Sequence, residues 1–255
     1  MIKLSIIGLF YNQYNNYKKI INSITMSNIS DYELIIVDDG SSYSEFEKLS
    51  NLIKDNPKIK IVRMSNNTRN QSKCRNIGVK LSQGEYITYI DGDDYYIPSG
   101  LYEVYKNLKD KDYYLTTVLT QNTHEGSYQA RNVGISNTSP SICIAQIIAK
   151  RKHLVDNNIF WDEEKYCWDA EDLYYGIKLL CSSDNYDVIK EPFYMHKKYK
   201  SSNSDRTGLE YKKYTEYLLE MNDDVYEFAK GNKFYDIFYD IVSSTVSHMV
   251  MTNVQ

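Results

Sequence analysis

Glu85-Tyr86-Ile87-Thr88-Tyr89-Ile90-Asp91-Gly92-Asp93-Asp94-Tyr95-Tyr96 is the stretch whose reading decides this chain. Its first half is an apolar run rich in β-branched and aromatic residues, the pattern of a buried strand. The run stops at Asp91-Gly92-Asp93-Asp94, where three of four residues are carboxylic acids. Like charges oppose each other's ionisation, so acids this close at a strand end call for a compensating cation. Oxygen-only donors suit a hard divalent ion, Mg²⁺ or Mn²⁺, of the kind that bridges to substrate phosphates. A solvated Asp-Gly turn would carry the same letters, and only the surroundings separate the two readings.

Those surroundings repeat the pattern. Lys3 to Phe10 is a continuous apolar strand. Tyr14 to Met26 follows as a helix with Tyr17, Ile20, Ile21 and Ile24 on one face. Tyr32 to Val37 is a second strand, ending in Asp38-Asp39-Gly40-Ser41-Ser42, which supplies a turn and a helix N-cap. Phe46, Leu49, Leu52 and Ile53 mark the next helical face, Ile59 to Met64 a third strand, and Asn70 to Leu81 a helix. Apolar strands alternating with helices describe a doubly wound, Rossmann-like parallel sheet covered on both faces. Ligands bind such sheets beyond the carboxyl ends of the strands. Tyr11-Asn12, Asp38-Asp39 and Asp91 to Asp94 all fall there, which points to a nucleotide-type site.

Several classes are disfavoured. No Gly-x-Gly-x-x-Gly follows the first strand, and neither a Gly-x-x-x-x-Gly-Lys-Ser/Thr loop nor a Gly-x-Ser-x-Gly elbow occurs. A net charge of −4 over 255 residues gives no nucleic-acid surface. Cys74, Cys143, Cys167 and Cys181 lack zinc spacing and read as free thiols of a reducing compartment. No apolar run is long enough to span a membrane, so the expectation is a cytoplasmic protein.

After Pro98 the pattern loosens. A helix is expected over Ser99 to Lys109, a strand over Asp112 to Leu119, and a long loop or hairpin over Thr120 to Pro140. Ile142 to Ala149 is apolar, and Arg151 to Asn157 a short helix. Ala170 to Leu180 is a helix, Tyr186 to Met195 two short strands broken by Pro192, and Lys197 to Gly208 a basic, Ser-rich loop. Two amphipathic helices follow Leu209, split near Gly231, and the natural chain is expected to continue past Gln255.

Together these pieces resemble the inverting family 2 glycosyltransferases with the GT-A fold. The likeness rests on Leu4-Ser5-Ile6-Ile7 leading to Tyr11-Asn12, on Tyr32 to Ser41, on Asn67, on Arg75-Asn76-Ile77-Gly78, and on Gly84 to Asp94. Downstream, Ala170-Glu171-Asp172 resembles the family's Glu-Asp motif. One departure is Gly8-Leu9-Phe10, where the family usually has a Pro-Thr or similar pair. The resemblance is close over the first hundred residues and only in outline beyond. It extends to capsule, teichoic-acid and lipo-oligosaccharide transferases without selecting one.

The resemblance implies an α/β fold with a mostly parallel sheet flanked by helices. Residues 1–208 would form the GT-A domain, with 1–97 the nucleotide-binding half and 98–208 the acceptor-binding half. Residues 209–255 would form a C-terminal helical segment. The implied activity is metal-dependent, inverting transfer of a hexosyl or N-acetylhexosaminyl group from a UDP-sugar to a hydroxyl of a bacterial surface glycan or glycolipid. Tyr11 and Asp39 would hold the base, with Asn67, Arg75 and Asp91 lining the nucleotide and diphosphate. Asp93 and Asp91 would bind Mn²⁺ or Mg²⁺, with His196 a candidate third ligand. Asp172 would be the general base and Glu171 its orienting neighbour. Peripheral association with the inner face of the membrane, and a homodimer, stay open.

Each residue also has a plainer reading. Asp38-Asp39 suits a turn and cap, Arg75 a surface ion pair, and Glu171-Asp172 a helix N-terminus. Trp161, Tyr166 and Trp168 fit either an acceptor-stacking surface or a core. Lys197, Lys198 and Arg206 fit either a clasp over the diphosphate or a solvated loop. A nucleotidyltransferase is the competing enzyme, although Tyr11 to Tyr17 lacks the glycines and arginine such enzymes carry after the first strand. A non-catalytic nucleotide-sugar-binding subunit is the competing non-enzyme.

Overall fold

In the computed structural model, residues 1–131, 147–167, 171–198 and 209–252 are described. Strands β1 (Leu4–Phe10), β2 (Tyr32–Asp38), β3 (Ile59–Arg63) and β4 (Tyr86–Ile90) form the parallel half. The expected alternation holds, with α1 (Tyr14–Met26), α2 (Tyr43–Ile53) and α3 (Gln71–Leu81) between them. β1 pairs with both β2 and β4, and β2 with β3, all in parallel register.

Beyond β4 come β5 (Tyr95–Tyr96), α4 (Pro98–Asn107), β6 (Tyr113–Asn122), β7 (Ser127–Arg131), β8 (Ile147–Lys150), α5 (Arg151–Asp156), α6 (Glu171–Leu180) and β9 (Tyr186–Lys198). They extend the sheet in the order β3-β2-β1-β4-β8-β6-β9-β5, with β7 paired to β6. β8 lies antiparallel to β4 and to β6, whereas β9 runs parallel to β6. The sheet is thus parallel in its first half and mixed in its second.

Pro192 does not split its segment into two strands. β9 runs through it, and the pairing steps from Thr116 opposite Ile189 to Thr117 opposite Pro192 and Val118 opposite Tyr194. A residue without an N–H is tolerated where the ladder is already broken, and the bulge places Pro192 there.

Two apolar layers cover the sheet. Leu4, Ile6, Leu34 and Ile36 pack against Tyr17, Ile20, Leu49 and Leu101 from α1, α2 and α4. Ile7, Ile87 and Tyr89 face the other way, with Val79 of α3 and Leu173 and Ile177 of α6. Alternate residues of one strand therefore serve opposite cores, as a pleat buried on both faces requires. Helices α7 (Leu209–Ala229) and α8 (Lys233–Thr252) join the second layer through Leu218, Met221, Val225, Phe234 and Phe238. Among the described residues no helix is long and apolar enough to cross a membrane.

Tyrosines fill much of these cores, and a buried phenol needs a partner for its O–H. Tyr17 donates to Leu9 O at 2.6 Å, Tyr96 to Tyr89 O at 3.0 Å, and Tyr86 to Lys109 O. Each such bond pins a loop or strand end to the sheet.

Candidate active site

The carboxyl ends of β1, β2 and β4 open into one cleft of about 640 Å³. Tyr11, Asp39, Asn67, Asp91 and Asp93 all line it, together with Gln13, Arg69, Gln71 and Cys167. Three tips separated by up to 80 residues of sequence thus meet around a single volume.

The tips are tied to one another. Asn12, in a left-handed conformation at φ 54°, donates its N–H to Ser41 Oγ at 3.0 Å, and its Oδ1 accepts from Ser42 N at 2.9 Å. The two acids that end β2 divide the work. Asp38 is fully buried; its Oδ1 accepts from Ser41 N at 2.9 Å, and Oδ2 lies 3.4 Å from Arg63 Nε. Asp39 lines the cleft, and its Oδ1 accepts from both Thr68 N and Thr68 Oγ1 at 2.8 Å. That pair of bonds draws the loop carrying Asn67 and Arg69 onto the β2 tip. Gly40 (φ +73°) is required there, because a Cβ would lie 2.4 Å from the Asn66–Asn67 peptide. Asn67 Oδ1 accepts from Arg69 N at 2.7 Å, steadying Arg69 at φ 53°.

At the acidic turn, Asp94 is buried beneath the other two acids. Its Oδ2 accepts from Tyr194 O–H at 2.8 Å and its Oδ1 from Lys197 N at 2.8 Å. Tyr194 also accepts from Asp91 N at 3.1 Å, so one phenol organises the whole turn. Burial, reinforced by Asp91, pushes the Asp94 carboxyl up to about 8 despite those hydrogen bonds. Asp93 is likewise raised by burial and by Asp91, with His196 and Lys197 opposing. His196, on β9, is therefore close enough for its charge to reach Asp93. Among the described residues no set of three His, Cys, Asp or Glu side chains forms a metal cage.

Arg75 does not line the cleft. Its side chain is buried below the floor, with Nη2 3.1 Å from Asp91 Oδ1 and 3.0 Å from Gln71 Oε1, and Nη1 3.2 Å from Glu171 Oε1. The guanidinium lies over the Trp161 ring at 4.4 Å. Asp172, at the first turn of α6, is pushed up to about 7 by burial and by Glu171, with Arg75 pulling the other way.

Asn76 completes the junction. Its Nδ2 donates to Trp161 O and to Glu163 Oε1, both at 2.8 Å, and its Oδ1 accepts from Trp161 N at 3.0 Å. Trp161 stacks on Tyr175 at 4.1 Å, and both Trp161 and Tyr166 are buried, which places these two rings in the core. Trp168, Arg206 and most of the basic loop lie outside the described residues, while Lys197 and Lys198 belong to β9.

Four further residues build the site: Arg69, Gln71 and Tyr194, which no motif marks, and Asn76, which the family motif contains without a role. Asn76 and Gln71 sit beside or one turn from Arg75 and were open to a helical-face reading. Tyr194 carried no local signal, since only the pairing of β5 with β9 brings it under Asp91.

The profile of Glycosyl transferase family 2 matches residues 5–158. The poly(ribitol-phosphate) β-N-acetylglucosaminyltransferase TarP of Staphylococcus aureus is 27% identical over 209 residues, covering 74% of this chain and 60% of TarP. A GalNAc(5)-diNAcBac-PP-undecaprenol β-1,3-glucosyltransferase of Campylobacter jejuni is 34% identical over 94 residues, 37% of this chain and 30% of the relative. The chain therefore spans at most about three fifths of the length of these curated relatives. S. aureus TarS 1–349, solved in complex with UDP-GlcNAc, superposes with a TM-score of 0.73 at 18% identity, covering 93% of this chain and 70% of TarS 1–349. That likeness carries the GT-A architecture, and the profile match covers more than half the sequence: the chain belongs to glycosyl transferase family 2.

Proposed function

We propose that this protein transfers a hexosyl or N-acetylhexosaminyl group from a UDP-sugar to a hydroxyl of a bacterial surface glycan, with inversion. The observation that carries this reading is the convergence of Tyr11, Asp39, Asn67, Asp91 and Asp93 on one cleft, with the Glu171–Asp172 pair linked to it through Arg75. UDP-sugar use is supported by the UDP-GlcNAc and UDP complexes of TarS. A glycan acceptor is supported by the names of the TarP and Campylobacter relatives. The latter is named for a PP-undecaprenol-linked glycan, which supports work at a membrane surface, and the inner face is the side proposed.

In this reading Tyr11 stacks on the uracil, and Asp39 Oδ2 accepts its imide N–H while Oδ1 stays with Thr68. Asn67 flanks the nucleotide, and Arg69, the one cationic side chain among the cleft's described lining, reaches the diphosphate. The donor set at the acidic turn fits a hard divalent ion. Asp93 lines the cleft with a raised pKa and no ion-pair partner among the described residues, and Mg²⁺ commonly takes one or two carboxylates plus phosphate oxygens. Asp91 Oδ1 is held by Arg75, so Asp93 would be the principal ligand, with His196 acting on it through its charge. A bound ion would offset the charge that develops on the departing diphosphate.

Asp172 removes the proton from the acceptor hydroxyl as its oxygen attacks the anomeric carbon. The bond from that carbon to the diphosphate breaks with its electron pair, and UDP leaves. A carboxyl raised to about 7 is a stronger base than an ordinary aspartate yet still ionised in good part near neutrality.

The test is UDP release from UDP-GlcNAc and UDP-glucose, with Mn²⁺ or with EDTA, beside UDP calorimetry. Asp172→Asn is expected to abolish turnover while leaving UDP affinity nearly unchanged. A wild-type protein that binds no UDP in the presence of Mn²⁺ refutes the reading.

A further inference from the structure

We propose that Arg75 is a positioning residue: from beneath the cleft its two terminal guanidinium nitrogens tie the helix bearing Glu171 and Asp172 to the acidic turn at Asp91. The inference rests on the reading of Asp172 as the base, and it assigns Arg75 a task other than contact with the donor.

The geometry has three parts. Nη1 and Nη2 engage different carboxylates, Glu171 at 3.2 Å and Asp91 at 3.1 Å, so the planar fork sets the spacing between α6 and the β4 tip. The guanidinium is itself fixed on both sides, by Gln71 Oε1 at 3.0 Å and by the Trp161 ring at 4.4 Å. Its neighbour Asn76 holds the Trp161 backbone through both its N–H and its carbonyl, so the ring beneath Arg75 cannot drift. Arg75 is buried and outside the cleft lining, whereas Asp91 keeps a side chain 35% exposed. The Arg75-Asn76 pair therefore fastens the second half of the chain to the first at the depth where the base and the leaving group must keep a fixed separation.

A reacting group misplaced by about 1 Å costs on the order of 10²-fold in rate. Arg75→Gln is therefore expected to lower kcat for UDP-GlcNAc turnover by about that factor, with UDP affinity in Mn²⁺ changed by less than roughly threefold. Lys keeps the charge but offers one compact ammonium, which can serve one carboxylate at a time, so Arg75→Lys should recover only part of kcat. If Arg75 instead touched the diphosphate, removing a charge-assisted contact would weaken UDP binding by about 10- to 100-fold. That outcome overturns the proposal, as does an Arg75→Gln variant with unchanged kcat.

Glu171→Gln guards against a folding failure, because it leaves Arg75 paired with Asp91 and Gln71. Thermal unfolding of Arg75→Gln, Glu171→Gln and the double variant is expected to be non-additive, since both single changes cut the same tie. Additive shifts overturn the strut. This unfolding cycle needs no turnover, so it decides the role of Arg75 even if the wild-type protein binds no UDP, a result that would sink the transferase reading alone.

Discussion

Replacing Asn76 tests how the two halves are joined. Its amide makes three hydrogen bonds, two to the Trp161 backbone and one to Glu163 Oε1, and only 4% of the residue is exposed. Asn76→Ala leaves the Trp161 N–H and C=O without these partners in a region closed to water. At roughly 1–3 kcal/mol for each orphaned group, the loss is about 4 kcal/mol. For a chain of this size each kcal/mol moves the midpoint by roughly 2–4 °C, so Tm should fall by about 10 °C. Differential scanning calorimetry or urea unfolding measures it directly. Asn76→Asp is the sharper variant: it keeps an acceptor for Trp161 N but removes the donor and sets a carboxylate against Glu163. It should be no more stable than the alanine variant. A fall in Tm of less than about 3 °C for both would refute the view that this amide is the clasp.

Acidity gives a second prediction. Asp94 and Asp172, raised to about 8 and about 7, lie above the roughly 4 of an unfolded aspartate. The folded state therefore holds more protons than the unfolded state between about pH 4 and 8, and stability falls as pH rises through that window. Tm of the metal-free protein should be lower at about pH 8.5 than at about pH 6, and Asp94→Asn should flatten the profile; a rise instead would contradict it. Turnover should climb as pH rises through about 7, because Asp172 must be ionised to accept a proton. Asp39→Ala removes both the Thr68 tether and the acceptor for the base, and UDP affinity should drop by about 10- to 100-fold in calorimetry. Asp93→Ala should remove the Mn²⁺ dependence of UDP binding together with turnover; Mn²⁺-stimulated turnover in that variant would displace Asp93 from the ion.

The sequence by itself determined the parallel half. Unbroken apolar strands alternating with helical faces admit few arrangements, and ligands of such sheets sit at the strand tips. Tyr11, Asp39, Asp91 and Asp93 could thus be placed from position, since each lies just after a strand whose register is local, whereas Asn67, four residues beyond β3, entered only through the family likeness. The downstream half was less legible. Its strands pair out of order, with β8 between β4 and β6 and β9 running parallel beside β6, and local periodicity carries no information on which strands meet. β5, two residues long, exists only through its pairing with β9. The family likeness picked out Arg75, but a motif shows which residue recurs and not which way its side chain points. Only the packed structure set the guanidinium under the floor, where α3, β4 and α6 close on Trp161 and a buried cation is stable only between carboxylates. Likewise Asp38 and Asp39, adjacent and identical in type, were separated by the pleat, which turns one side chain into the sheet and leaves the next at the cleft.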